Sequence, residues 1–207
     1  KKYDEIDSEH FFARDESVEN ALEILKKNKI LIINGDEGSG KSSFINAGIL
    51  KRIKERFAGK SGREWNICKT RPGIKPIDNL ARSLYENGSL QLIEKPKSSD
   101  FDYFKERLYK KSGLGLVEII KDSSIFDKKN LLITIDNTED LFKYSKLFNA
   151  EISDDDDLFI NLIYKTVKNR HCSVYFILAI QSKYFSKLNV YGKFSELTTL
   201  SQFNLPN

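Results

Sequence analysis

The sequence has no methionine, and it has only two cysteines, two histidines, four prolines and one tryptophan. Without methionine it lacks an initiator, so a segment of a longer protein is expected. Cys68 and Cys172 are far apart, each inside an apolar run, which excludes a disulfide framework and predicts reduced core thiols in a cytoplasmic protein. His10 and His171 have no partners at metal-ligand spacing, and no set of nucleophile, base and orienter is visible. No apolar run approaches the ~20 residues a bilayer requires, and the start KKYDEIDSEHFF lacks the apolar region of a signal peptide. A basic arm is missing too. The 34 Lys and Arg against 30 Asp and Glu leave a net charge of +4 scattered along the chain, the pattern of a solvated surface, and nucleic acid is not indicated for this segment.

What is present suits a globular α/β domain. Hydrophobic residues make up 40% of the 207, with 14 Phe and 9 Tyr, enough for a core, and one domain covering 1–207 is expected. Asp15 to Asn28 has Val18, Leu22 and Leu25 at helical spacing, with acids early and lysines late. Strands are predicted at Lys29 to Asn34, Trp65 to Thr70, Asn130 to Asp136, Cys172 to Ile180 and Leu197 to Phe203. Helices are predicted at Lys41 to Phe57, Pro76 to Tyr85, Asp100 to Lys111, Gly115 to Lys121, Glu139 to Phe148 and Ser182 to Leu188, with Asn87 to Ser99 as loop. The four acids Asp154 to Asp157 are expected to form a solvated loop whose last members cap a helix beginning near Leu158. Strands alternating with helices predict a parallel sheet of about five strands, flanked by helices on both faces.

Within LIINGDEGSGKSSFIN, Gly35-x-x-x-x-Gly40-Lys41-Ser42 matches the phosphate-loop pattern, between a strand and a helix as that loop requires. Its glycines let successive backbone N–H groups turn toward a phosphate, and the helix start adds a positive end. The nucleotide-binding residues expected are therefore Gly35, Asp36, Glu37, Gly38, Ser39, Gly40, Lys41, Ser42 and Ser43. Lys41 would reach the β- and γ-phosphates, and Ser42 would ligate Mg²⁺. Asp136, at the tip of the apolar run NLLITI, is the carboxylate expected to hold Mg²⁺ through water. More than ninety residues and another strand separate Ser42 from Asp136. That extra strand marks the division of phosphate-loop proteins with an additional strand and a catalytic Glu (ASCE). Asn137 cannot take a proton, so the base is sought in Glu139 or Asp140, with Glu139 preferred. Gln181, at the end of the next strand, is the expected γ-phosphate contact, and it brings no charge.

Several segments together resemble one family, the STAND NTPases (signal transduction ATPases with numerous domains), in particular the bacterial novel STAND branch. FFARDE (Phe11 to Glu16) resembles that branch's aromatic-Gly-Arg-acidic box, with Ala13 in the glycine's place. KSSFINAGIL, WNICKTRPGIKPIDNLA and IDNTEDLF are similar to its phosphate-loop continuation, its Arg-Pro-Gly box and its magnesium strand. The family usually has Arg where Gln181 stands and often Gln where Asn137 stands.

The resemblance implies that residues 1–28 form an adenine-side segment, with Arg14 against the adenine or phosphate side of ATP. It also implies an ATPase, slow or gated by activation, whose bound ATP and Mg²⁺ switch the oligomeric state and so activate a linked effector. Flanking effector and sensor domains, homo-oligomers and a phage protein as trigger in antiviral defence follow from the same resemblance. A motor or loader ATPase acting on nucleic acid is the alternative.

Overall fold

The computed structural model describes residues 5–57, 63–86, 90, 100–123, 128–144, 153–192 and 194–205, with 5–14, 56, 57 and 100 described by backbone alone. Five parallel strands form one sheet in the order β2-β3-β4-β1-β5: β1 (Ile30–Gly35), β2 (Glu64–Thr70), β3 (Lys129–Ile135), β4 (Val174–Gln181) and β5 (Gln202–Asn204). From β1 the chain passes to β2 at the far edge and returns through β3 and β4, and it ends on the other side of β1 at β5. Order therefore reverses about β1, and in open parallel sheets ligands bind at the carboxyl ends of strands flanking such a reversal.

The apolar runs are continuous because both faces of the sheet are covered. Ile30, Ile32, Ile133, Phe176 and Leu178 pack on one side with α4 (Pro76–Glu86), α6 (Gly115–Lys121), α8 (Asp154–Lys168) and α10 (Phe194–Ser201). Leu31, Ile33, Leu132, Ile177 and Ala179 pack on the other, against α1 (Glu5–Asn28) and the helix after the glycine loop. That helix begins as α2 (Lys41–Ser43), widens into a π-helical segment (Phe44–Leu50) and continues as α3 (Lys51–Phe57). Arg52 ties it to α1 through Asp15 at 2.6 Å. Between α1 and β1, Lys29 adopts φ 58°, and its ammonium donates to the carbonyls of Asn169 (3.1 Å) and Cys172 (2.7 Å). The α8–β4 turn is thus anchored to the start of β1.

In the sheet β4 separates β1 from β3, and β2, which lies between the two motifs in sequence, sits at the edge. Three expectations need correction. The acids 154–157 are not a loop: all four lie in the first turn of α8, where they complement the helix dipole, and the cap is Ser153. Ser153 and Asp156 form a reciprocal capping box, with the Asp156 N–H donating to Ser153 Oγ at 3.1 Å. Residues 194–201 are helix α10, because Phe194, Leu197, Thr198 and Ser201 are buried at helical spacing, so only Gln202–Asn204 remain as strand. Cys172 precedes β4 rather than lying in it, although both cysteines are buried thiols.

Boundaries shift elsewhere. α1 begins ten residues before Asp15, α5 spans Asp100–Leu108, and α9 (Ser182–Phe185) passes into a 3-10 turn, Ser186–Tyr191. Glu139 sits in the turn before α7 (Asp140–Tyr144), and the expected continuation to Phe148 lies outside the described residues, as does the loop 87–99 apart from Leu90.

Gly115 opens α6 where a Cβ would fall 1.9 Å from the Arg107 carbonyl oxygen, so the chain cannot carry a side chain there without moving backbone. Gly115→Ala should destabilise the protein by roughly 3 kcal/mol. Ser153→Ala should lose about 1 kcal/mol through the cap. Urea denaturation measures both, and an unchanged midpoint for either variant would contradict these packing and capping assignments.

Candidate functional site

The parallel registers bring four segments to one edge of the sheet. Gly35 pairs with Gln181, Ile135 with Leu178, and Thr70 with Ile135, so the glycine loop, Asp136, Gln181 and Arg71 all leave the strands at the same end. After β1 the chain turns through Asp36 to Gly40, with φ +80° at Gly38 and +84° at Gly40, angles that L side chains seldom adopt. The Phe44 N–H donates to the Gly40 carbonyl at 2.8 Å and starts the helix. The Lys41 ammonium folds back over the loop and donates to the carbonyls of Gly35 (2.8 Å) and Asp36 (2.6 Å). Ser39 Oγ is a buried hydroxyl without a protein partner.

Opposite the loop stands the tip of β3. Ser42 Oγ donates to Asp136 Oδ2 at 3.0 Å, while the Asn137 N–H donates to Asp136 Oδ1 at 3.0 Å. Facing hydroxyl and carboxylate oxygens are a hard donor set that fits Mg²⁺, an ion that takes few protein ligands and keeps several waters. Among the described residues no group of three or more His, Cys, Asp or Glu could hold a different metal.

Beyond Asp136 the chain makes a strap. Asn137 has φ 53°, a left-handed conformation that Asn tolerates better than most residues, and the Thr138 N–H donates to the Ala179 carbonyl at 2.9 Å. The strap delivers two acids in different directions. Glu139, only 2% exposed, accepts the Gln181 N–H at 3.3 Å and meets the Lys143 ammonium at 3.5 Å. Asp140 is also buried, 4.0 Å from both the Arg71 guanidinium and the Lys143 ammonium. Burial pushes its carboxyl above the ordinary range, and the two cations pull it partly back.

A cleft of about 380 Å³ joins these parts, lined by Glu37, Gly38, Gly40, Lys41, Ser42, Ser43, Asp136, Asn137, Glu139, Ala179 and Gln181. Of the two acids weighed as a base, Glu139 lines this cleft and Asp140 faces Arg71 instead. Arg14 has its backbone in α1, and its side chain lies outside the described residues. Arg71 was read only as part of the Arg-Pro-Gly box. Its position one residue past the end of β2 was the available signal that it reaches this edge. The arrangement can hold a polyphosphate on backbone N–H groups and Lys41, a divalent cation between Ser42 and Asp136, and a water beside Glu139.

Comparison with known structures gives the same architecture. An ORC2 protein of Aeropyrum pernix, solved in ADPNP-ADP complexes, is 13% identical with a TM-score of 0.59, over 92% of this chain and 47% of that one. The ORC1 protein of Aeropyrum pernix, solved in complex with DNA, is 13% identical with a TM-score of 0.55, over 93% of this chain and 45% of that one. At that identity the likeness speaks for the fold alone, and the chain spans about half the length of these proteins. No curated protein matches the chain. The family model for novel STAND NTPase 1 matches residues 1–207, and with a phosphate loop, a carboxylate at the tip of β3 and β4 set between their strands, the chain belongs to that family of NTPases.

Proposed function

We propose that this chain is an ATP·Mg²⁺-binding switch module, in which the nucleotide biases a closed monomer toward an oligomer and thereby activates an effector domain elsewhere in the parent protein. The observation that carries this reading is the 3.0 Å contact between Ser42 and Asp136, which brings the loop's hydroxyl and the β3 carboxylate together beside the folded-back Lys41. On binding, Lys41 would exchange two loop carbonyls for the β- and γ-phosphate oxygens, and Ser42 would turn its oxygen from Asp136 to the metal. Mg²⁺ would neutralise phosphate charge; Asp136 would hold its water ligands.

Glu139 is the acceptor for a proton from an attacking water. Its carboxylate is held by the Gln181 N–H and the Lys143 ammonium, so it is oriented but already engaged. Gln181 adds hydrogen bonds and no charge at the γ-phosphate, which supports slow or gated turnover. A switch also requires that ATP contact two states differently, and Lys41, Glu139 and Gln181 are where that difference would arise.

The family resemblance supports bacterial antiphage defence, with a phage protein as trigger and flanking sensor and effector domains. Two buried thiols are in keeping with a cytoplasmic setting. An ORC1 neighbour was solved on DNA, which keeps a loader-type ATPase as the second reading; the scattered charge of this chain favours the first.

Titration with a fluorescent ATP analogue tests the binding half. Lys41→Ala should weaken affinity by tenfold or more, about 1.4 kcal/mol, and equal affinities would reject the reading. Glu139→Gln should keep that affinity and lower single-turnover hydrolysis by roughly 100-fold. Full turnover in this variant would move the base elsewhere. Light scattering of the ATP-loaded parent protein tests the oligomeric half, with larger assemblies expected than in ADP.

A further inference from the structure

Arg71 follows the last residue of β2 and points across the tip of β3. Its guanidinium Nη2 lies 2.7 Å from the Asn137 side-chain oxygen when the amide is turned so that its nitrogen faces Asp136 Oδ1 at 3.3 Å. This is the orientation in which both amide atoms meet complementary partners. The same guanidinium stands 4.0 Å from Asp140 Oδ2. A chain of side-chain contacts therefore runs from Ser42 to Asp136, from Asp136 to the turned Asn137 amide, and from that amide to Arg71. Asp136 Oδ1 accepts both the Asn137 backbone N–H at 3.0 Å and the side-chain amide at 3.3 Å, while Oδ2 accepts from Ser42 Oγ, on the side proposed for the metal.

We propose that Arg71 is a positioning residue for the metal-side carboxylate: it locks the Asn137 amide, which holds Asp136 with one oxygen occupied and the other presented to the cation. This rests on the ATP·Mg²⁺ reading above and assigns to this chain a residue that the phosphate-loop pattern does not include. The rest of the strap is constrained in the same sense. Thr138 is pinned to Ala179, so the left-handed Asn137 has little freedom except its amide rotation, and Arg71 removes that freedom. One nitrogen, Nη2, meets the amide oxygen at 2.7 Å and stands 4.0 Å from Asp140 Oδ2, and the planar guanidinium fixes the direction of that N–H toward the amide, which a lysine ammonium with three rotating donors does not. The side chain is 61% exposed, so its replacement leaves the core intact and reports on the site.

The test is a double-mutant cycle on Arg71→Ala, Asn137→Ala and the pair, with affinity for a fluorescent ATP analogue measured in Mg²⁺ and again in EDTA. Partners behind a metal ligand typically affect metal binding by 10- to 100-fold. Each single variant should therefore lose roughly tenfold in Mg²⁺, with affinity in EDTA unchanged. The pair should lose no more than the worse single variant, because both act on one contact. Arg71→Lys, the gentler variant, should also lose Mg²⁺-dependent affinity.

Losses that multiply, or that are equal in Mg²⁺ and EDTA, would overturn the proposal, as would Mg²⁺ enhancement undiminished in the Arg71 variants. Failure of the unmodified chain to bind ATP in Mg²⁺ would remove the nucleotide reading and this inference together. Binding by the unmodified chain with the variants behaving independently would remove this inference alone.

Discussion

The site depends on one constraint, the parallel register of β1, β4 and β3. Gly35 lies opposite Gln181, so β1 and β4 end level, while β3 stops three residues earlier with Ile135 opposite Leu178, and the next residue, Asp136, meets Ser42 at the start of the helix. A slip of one residue in β3 would turn its alternate side chains to the wrong face of the sheet and carry Asp136 away from Ser42. The pairing is enforced by burial on both faces: Ile133 and Phe176 fill one side, and Leu132 and Ile177 the other. Core packing and the geometry at the tip of β3 are therefore one problem, and the 3.0 Å Ser42–Asp136 contact is its outcome.

The second consequence concerns charge. Lys41 bonds two loop carbonyls and Ser42 bonds Asp136, so side-chain hydrogen bonds join the loop to itself and to the tip of β3. On the proposed reading, a triphosphate and its metal would exchange these partners for their own contacts, and a nucleotide that contacts two arrangements differently is what a switch needs.

Much of this was legible in the sequence where local rules decide. Strands β1 to β4 and the phosphate loop follow from short apolar runs punctuated by glycine, and they fall within a residue or two of their expected places. Local rules failed where tertiary context wins. LTTL carries β-branched residues and reads as strand, yet Leu197 and Thr198 pack as part of a helical face with Phe194 and Ser201. Four successive aspartates read as loop because like charges repel, but at a helix start the dipole and the Ser153 cap outweigh that repulsion. The spatial place of β4 between the two motif strands is a property of crossovers, which a linear order of motifs does not contain.

Arg71 belongs to the same class of hidden information. In sequence it is sixty-six residues from Asn137 and sits in a box recognisable only by its pattern, while in space β2 and β3 end side by side, with Thr70 opposite Ile135. Edge strand β2 therefore has a task beyond covering β3: it carries a cation to the Asp136 side of the cleft, whose other flank carries Gln181. The two flanks also differ in what they grip. Gln181 holds Glu139 through a backbone N–H that no side-chain substitution removes, whereas Arg71 holds Asn137 through a side chain that is mostly exposed. Orientation of Glu139 is thus built into the strand itself. Asp136 likewise has a backbone donor, the Asn137 N–H at 3.0 Å, and on the proposed reading the surface arginine adjusts only the second hold on its Oδ1, the one made through the Asn137 side chain.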